Sequence, residues 1–225
     1  MMSRSPIELD SFYHVYNRGV DKRKVFFEKT DYLLFLRFMN VLNNVEIVNP
    51  SRLSGDVVVN ATERLVDLCA FCLMPNHFHF LVHERREGGI SKFMQRLGTA
   101  YTLYFNEKYD RSGALFQGKY KYKIVEDEAY LFSLIHYLHI NPKDLVPGYN
   151  KESGTPFRKV LTFLDTYSWS SYHDYCGQPK YAHLLQRTVL DDFIEPIKDY
   201  RANLNDLYGE DYGALEDSLA GLLFD

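Results

Sequence analysis

The 225-residue chain predicts an α+β fold of the ferredoxin-like (RRM-like) kind, an antiparallel sheet with helices on one face, plus a C-terminal mostly helical extension. Three observations predict it. Segments of strand character alternate with segments of helical period in the order strand, helix, strand, strand, helix, strand, helix. The two middle strands are separated only by Met74-Pro75-Asn76, which makes them neighbours in a hairpin. A composition 46% hydrophobic and 16% aromatic supplies a real core and excludes a disordered chain.

Each element follows from local chemistry. Phe12-Tyr-His-Val-Tyr16 is rich in β-formers and runs into the turn signal Asn17-Arg18-Gly19. Residues 31–48 carry Leu34, Phe35, Phe38, Val41, Leu42 and Val45 at helical spacing, with Thr30 or Asp31 as the expected cap. Residues 49–64 are polar, with Pro50 and Gly55, and predict a loop that could hold a short strand at Val57-Val-Val59. Residues 65–73 and 78–82 read as buried strands, and Gly88-Gly89 breaks the chain. Residues 90–109 place Phe93, Met94, Leu97, Ala100, Tyr101, Tyr104 and Phe105 on one helical stripe. Residues 119–125 alternate Lys119, Lys121 and Lys123 with Tyr120, Tyr122 and Ile124, the pattern of a half-exposed strand. Glu126-Asp127-Glu128 favours a helix start through the macrodipole, and Pro142 limits that helix to about residue 140. Further on, Trp169-Ser-Ser-Tyr172 reads as a docking segment, and residues 191–225 are expected to add helices or to be partly mobile. The domain division expected is a first domain over 1–175 and an acidic C-terminal extension over 176–225.

No apolar run reaches the roughly 18–20 residues that span a bilayer. Residues 1–10 are polar and lack a signal-peptide core, so no membrane partner is expected and the protein is placed in the cytoplasm. Three cysteines argue against a disulfide framework. Cys69 and Cys72 form a C-x-x-C, but an odd separation on a strand points the two side chains to opposite faces, so two buried thiols are expected in place of a metal site. The net charge of −4 hides an asymmetry: residues 1–150 hold 19 Lys+Arg against 17 Asp+Glu, whereas residues 151–225 hold 7 against 13. Basic patches therefore belong to the first part and the tail is acidic.

Two pairs of residues carry candidate chemistry. His77 and His79, two apart on a strand, share a face, so their imidazoles could chelate one divalent cation; the bland alternative is local hydrogen bonding at a strand start. Tyr137 and Asn141, four apart on a helix, also share a face. A tyrosine hydroxyl is a possible nucleophile and an amide carbonyl a possible hard oxygen ligand; core packing and helix capping are the alternatives.

Met74-Pro-Asn-His-Phe-His79, followed some 60 residues later by Tyr137-Leu-His-Ile-Asn-Pro142, resembles the REP-associated tyrosine transposases, of the insertion-sequence-200-like single-tyrosine HUH transposase superfamily. The resemblance extends to Tyr13-His-Val-Tyr-Asn-Arg-Gly19, Leu115-Phe-Gln-Gly-Lys-Tyr-Lys121 and Trp169-Ser-Ser-Tyr172, and so covers roughly residues 10–175. It implies that His77 and His79 are metal ligands, that Tyr137 is the nucleophile, and that Asn141 is the third ligand where many relatives have Gln. Lys143-Asp144 departs from the family, which usually has an apolar or small residue and then Arg after Asn-Pro.

That resemblance implies a metal-dependent endonuclease and strand transferase acting on single-stranded or hairpin DNA, with a 5′-phosphotyrosine intermediate and a free 3′-hydroxyl. It implies Mg²⁺ or Mn²⁺, although ligand softness alone would suit Mn²⁺, Ni²⁺ or Zn²⁺. REP-associated forms are expected to be monomers. DNA contacts are expected from Arg18, Lys119, Lys121 and Lys123, the three lysines sharing one face of their strand; a lysine-blunted, solvated edge strand is the alternative. Arg18 belongs to a second cluster with Lys22, Arg23 and Lys24. Two other readings are a metal phosphoesterase using water and a non-catalytic nucleic-acid-binding module.

Overall fold

A computed structural model describes residues 6–46, 63–149, 155–193 and 199–209. Strands β1 (Phe12–Arg18), β2 (Asp67–Met74), β3 (His77–His83) and β4 (Lys121–Ile124) form one antiparallel sheet in the order β2-β3-β1-β4. Helix α1 (Lys29–Leu42) connects β1 to β2, and α2 (Gly89–Lys108) connects β3 to β4. This is the ferredoxin-like arrangement that the sequence predicts.

Strand alternation sorts the side chains. Tyr13 and Val15 of β1, Phe71 of β2, and Phe78, Phe80 and Val82 of β3 enter one cluster with Phe35 and Met39 of α1 and Phe93, Leu97 and Tyr101 of α2. Phe35 meets Tyr101 edge-on at 4.8 Å between ring centroids. The register pairs Tyr16 with His79 and Arg18 with His77, so these residues share the opposite face. That second face is covered by α3 (Glu128–Ile140), α4 (Phe157–Leu164) and α6 (Tyr200–Tyr208), whose Leu134, Leu138, Leu161 and Leu204 cluster with Leu81. A four-residue helix, α5 (Tyr172–Tyr175), lies between α4 and α6. The helices on one face are thus α1 and α2, and the later helices close the other. Residues past 175 enter both layers: Tyr181 and Leu184 join the first cluster, Leu190 and Tyr200 the second.

Several boundaries differ from the sequence expectation. Helix α1 begins two residues earlier, because Glu28 is its N-cap and Asp31 is the third helical residue of a capping box. The buried Asp31 carboxylate also accepts from Tyr104, Lys108 and Tyr109 of the α2 end, which ties the two helices together. The same helix ends at Leu42, short of residue 48. There the Asn43 side chain accepts from the amides of Leu65 and Val66 and donates to the Val66 carbonyl, turning the chain toward β2. Val57–Val59 lies outside the described residues. The Cys69 and Cys72 side chains do not split between the faces: the β2 register shifts between Leu68 and Ala70, and Cys69 joins the α3-side cluster. Cys72, paired with His79, faces the same side. Both thiols are buried, and burial raises both pKa values.

Trp169-Ser-Ser-Tyr172 docks as expected. Leu73 N–H donates to the Trp169 carbonyl and Ser171 N–H to the Phe71 carbonyl, so this segment covers the outer edge of β2.

Candidate active site

The Pro-Asn turn between β2 and β3 is held from below by the turn after β1. Gly19 N–H donates to the Asn76 carbonyl, and the amides of Val25 and Phe26 donate to the Pro75 carbonyl. A Cβ at Gly19 would lie 2.2 Å from the Arg23 carbonyl oxygen, so only glycine permits this approach. Asp21 and Lys22 take left-handed φ values of 54° and 58°. Such conformations cost on the order of 1–3 kcal/mol each and persist where surrounding contacts fix them. Here they aim the Lys22 carbonyl at the Asn76 amide, which donates to it at 3.1 Å.

That bond fixes which way the Asn76 side chain points. Its Nδ2 faces a carbonyl, so its Oδ1 faces His77 Nδ1, 2.6 Å away. An amide oxygen only accepts; His77 Nδ1 therefore carries the ring proton and Nε2 is a lone pair. Burial first, and the Arg18 charge second, push the His77 pKa down to about 4, so the ring is neutral at pH 7. His77 Nε2 in turn faces Asn141 Oδ1 at 3.2 Å. Two acceptors with no proton between them are what a cation satisfies, and an imidazole nitrogen beside an amide oxygen is a donor pair suited to a divalent ion. His79 stands edge-on to His77 with centroids 5.0 Å apart and adds a second imidazole. The residues present fit a divalent metal. Among the described residues no trio of His, Cys, Asp or Glu forms an alternative metal cluster.

Helix α3 brings the remaining groups. Asp127 caps its start by accepting from Tyr130 N–H, and Asn141 N–H bonds back to the Tyr137 carbonyl at its end. The chain continues past Asn141 as a 3-10 turn to Leu145, with Pro142 in its first turn. Tyr137 and Asn141 therefore stay on one face, as their spacing predicts. The Tyr137 ring lies edge-on to His79 at 5.4 Å, on the same side as the Asn141 side chain that meets His77. Burial raises the Tyr137 pKa well above 10; the Asn141 hydrogen bond and the Arg18 charge act in the opposite direction. The four residues His77, His79, Tyr137 and Asn141 thus meet on one side of the sheet, from β3 and from the end of α3.

Residues 53–141 match the protein-family model described as "Transposase IS200 like". The stretch holds all four of these residues and ends on Asn141. The match takes in 89 of the 225 residues, and over them the chain is similar to that family. Among solved structures, the chain is similar to one titled "Structure of the REP associates tyrosine transposase bound to a REP hairpin", at 12% identity and a TM-score of 0.51, covering 80% of this chain and 88% of that one. At that identity the likeness speaks for the fold. A bacterial tRNA(His) guanylyltransferase (Thg1)-like protein in complex with ATP matches at 12% identity with a TM-score of 0.39, covering 72% of each chain. No curated protein matches.

Around the transposase motifs the basic residues divide. Arg18 is on the site face, paired in register with His77, and its charge reaches His77, His79 and Tyr137. Lys121 and Lys123 of β4 pair with Tyr16 and His14 and share that face. Lys119 does not: β4 begins only at Lys121, and Lys119 follows Gly118, whose φ of 103° bends the chain. Lys119 lines a groove of about 710 Å³ on the α2 side with Phe78, Met94 and Tyr122. His136 and His139, which flank Tyr137 in sequence, are buried. They bond the hydroxyls of Tyr208 and Tyr200, both at the α6 helix, and His139 also meets Ser171 Oγ at 2.7 Å. Sequence reasoning missed His14 and Asn76, which sit directly behind His79 and His77. Strand register could have found His14, since Phe12, His14, Tyr16 and Arg18 alternate onto the face of the two histidines.

Proposed function

We propose that this chain is a divalent-metal-dependent endonuclease and strand transferase for single-stranded or hairpin DNA, working through a covalent 5′-phosphotyrosine. The observation that carries the reading is the meeting of Tyr137, Asn141, His77 and His79 within a stretch that matches the IS200-like transposase family. His77, His79 and Asn141 would hold Mg²⁺ or Mn²⁺, which when bound supplies Lewis-acid polarisation of the scissile phosphate.

The protein's own groups do the rest. Tyr137 provides the oxygen that bonds to phosphorus as the bond from phosphorus to the 3′-oxygen breaks; the tyrosine proton leaves, and the departing 3′-oxygen takes one up as a free hydroxyl. Because the phosphodiester bond energy is kept in the phosphotyrosine, a second 3′-hydroxyl can reverse the step and join strands without ATP. Burial opposes ionisation of Tyr137, so the positive charge of Arg18 and the Asn141 hydrogen bond are what the chain itself offers the phenolate. Arg18, Lys121 and Lys123 share the site face, which supports a DNA backbone path across β1 and β4. Lys119 is assigned to the same DNA from its place on the other side of the β4 entry. The tyrosine and the histidines come together within one chain, which supports action as a monomer.

A labelled single-stranded hairpin DNA incubated with the protein and Mn²⁺, then run on a denaturing gel, tests this. The expected result is a DNA-linked protein band that disappears in Tyr137→Phe. Cleavage that survives Tyr137→Phe would make water the nucleophile. Hairpin binding that persists without metal and in His77→Ala and His79→Ala, with no cleavage by the wild type, would reduce the chain to a binding module.

A further inference from the structure

The two site histidines are held differently. For His77, the neighbour behind the ring is an amide whose orientation is locked by the Lys22 carbonyl, and this fixes the proton on Nδ1. For His79, the neighbour behind the ring is another imidazole: His14 Nε2 lies 2.8 Å from His79 Nδ1, with the rings near-parallel at 24° and centroids 5.0 Å apart. Both rings are buried, His14 at 1% exposure and His79 at 0%. One proton is shared between these two nitrogens, and it sits on either ring. If it sits on His14, His79 is left with its proton on Nε2 and cannot offer that atom to a cation. If it sits on His79, His79 Nε2 is a lone pair.

We propose that His14 is a positioning residue that accepts the hydrogen bond from His79 Nδ1–H and so presents His79 Nε2 to the divalent ion. This rests on the metal-site reading above. The geometry supports it in three ways. His14 is held by β1 in register with Leu81 and next to the Tyr16–His79 pair, which sets its side chain on the same face beside His79. The Tyr16 ring packs against His14 at 4.8 Å and against His79 at 5.8 Å, walling the pair from solvent. The arrangement also gives His79 what Asn76 gives His77, an acceptor at Nδ1, and ligating histidines commonly depend on such a partner for ring orientation and basicity. His14 pairs in register with Lys123 and its ring lies edge-on to Tyr137 at 6.3 Å, but its Nε2 is directed at His79 Nδ1, and it acts through His79.

Mn²⁺ alone, titrated into the DNA-free protein and followed by electron paramagnetic resonance, tests the proposal. His14→Phe keeps the ring and its burial but removes the acceptor; His14→Gln restores an acceptor oxygen. The expected result is a loss of Mn²⁺ affinity of about 10–100-fold in His14→Phe, the range typical of a lost outer partner, and recovery to within about threefold of wild type in His14→Gln. Nitrogen-15 chemical shifts of the His79 ring should show the proton on Nδ1 in the wild type and a mixture of tautomers in His14→Phe. A folded His14→Phe protein that binds Mn²⁺ like the wild type overturns the proposal while leaving the metal site standing. A wild type that binds no Mn²⁺, or binds it undiminished in His79→Ala, overturns the metal site and this proposal with it.

Discussion

The two faces of the sheet are built on opposite rules. The face under α1 and α2 is aromatic and aliphatic, with Phe35, Phe78, Phe80, Phe93 and Tyr101 in mutual contact. The face under α3 buries five histidines, His14, His77, His79, His136 and His139, each with a polar neighbour. Shape decides most of the first face, where the Tyr101 hydroxyl finds a backbone carbonyl; on the second, each ring needs a partner for its proton. A change on the first face should therefore cost stability and spare the site. A change on the second should cost less stability and alter what the site binds.

The largest effect is expected on the first face. Phe80 is fully buried between Phe78, Phe35 and Phe93. Phe80→Ala should lower unfolding free energy by about 3–5 kcal/mol through lost transfer and cavity formation. Urea denaturation measures it. Where folded, this variant should keep its Mn²⁺ affinity within a few-fold; a large loss would show that the two faces are not separable.

Next comes stabilisation by metal. A ligand held only by the folded state stabilises it by about 2.7 kcal/mol at one hundred times its Kd. Wild type and Phe80→Ala should both gain this much with saturating Mn²⁺, read as a rise in Tm. His77→Ala and His79→Ala should gain none. Equal gains in all four proteins would move the metal away from the histidine face.

How far these features were legible in the sequence differs between the faces in the same way. The first face could be read almost entirely, because period-2 strands and 3.6-period helices announce an apolar surface: Phe78 and Phe80 on β3, Phe93, Leu97 and Tyr101 on α2. On the second face, His77, His79, Tyr137 and Asn141 were legible from spacing and motif. Their supports were not. His14 needs the β1–β3 register, which pairs residues 65 apart. Asn76 needs the left-handed turn at Asp21 and Lys22. The bulge at Cys69 leaves no periodic trace, so the C-x-x-C was misassigned to two faces. Tyr200 and Tyr208 meet His139 and His136 from more than 60 residues away, in a segment whose sequence shows only acidity and weak helical pattern.

That last contact yields a smaller prediction. His139 bridges Ser171 Oγ and Tyr200 hydroxyl, both at 2.7 Å, behind the helix that carries Tyr137. His139→Leu leaves two buried hydroxyls without this partner and should cost roughly 2 kcal/mol. Covalent adduct formation should fall as well, because α3 loses its anchor to α6 and to the β2 edge. Unchanged adduct yield in a destabilised variant would show that these bonds support folding alone.

The smallest effect lies at the far end of the same face, where a histidine stands between two carboxylates. His83 Nδ1 is 3.3 Å from the buried Asp67 carboxylate, and Nε2 is 3.1 Å from the exposed Asp10. The hydrogen bond to Asp67 raises the His83 pKa above 6.5, against the opposing effect of burial. A raised folded-state pKa means stability that is full below the unfolded value near 6.5 and lost as pH rises through the folded value. Asp67 itself is held below its ordinary range by His83 and Arg85 in spite of burial, so its own contribution persists down to about pH 4. Within this pair, only the histidine changes state between pH 5.5 and 9. His83→Gln keeps a hydrogen-bond donor for Asp67 but no charge. The stability difference between wild type and His83→Gln should therefore be larger at pH 5.5 than at pH 9, measured by urea denaturation at both. The buried histidines around the site act with the opposite sign: burial holds His14 near 3 and His77 near 4, so below about pH 6.5 the unfolded chain takes up protons that the folded protein does not, and stability falls as pH falls. That slope is common to wild type and His83→Gln and cancels in their difference, so a difference that stays the same at pH 5.5 and pH 9 would show that His83 gains nothing from Asp67 on folding.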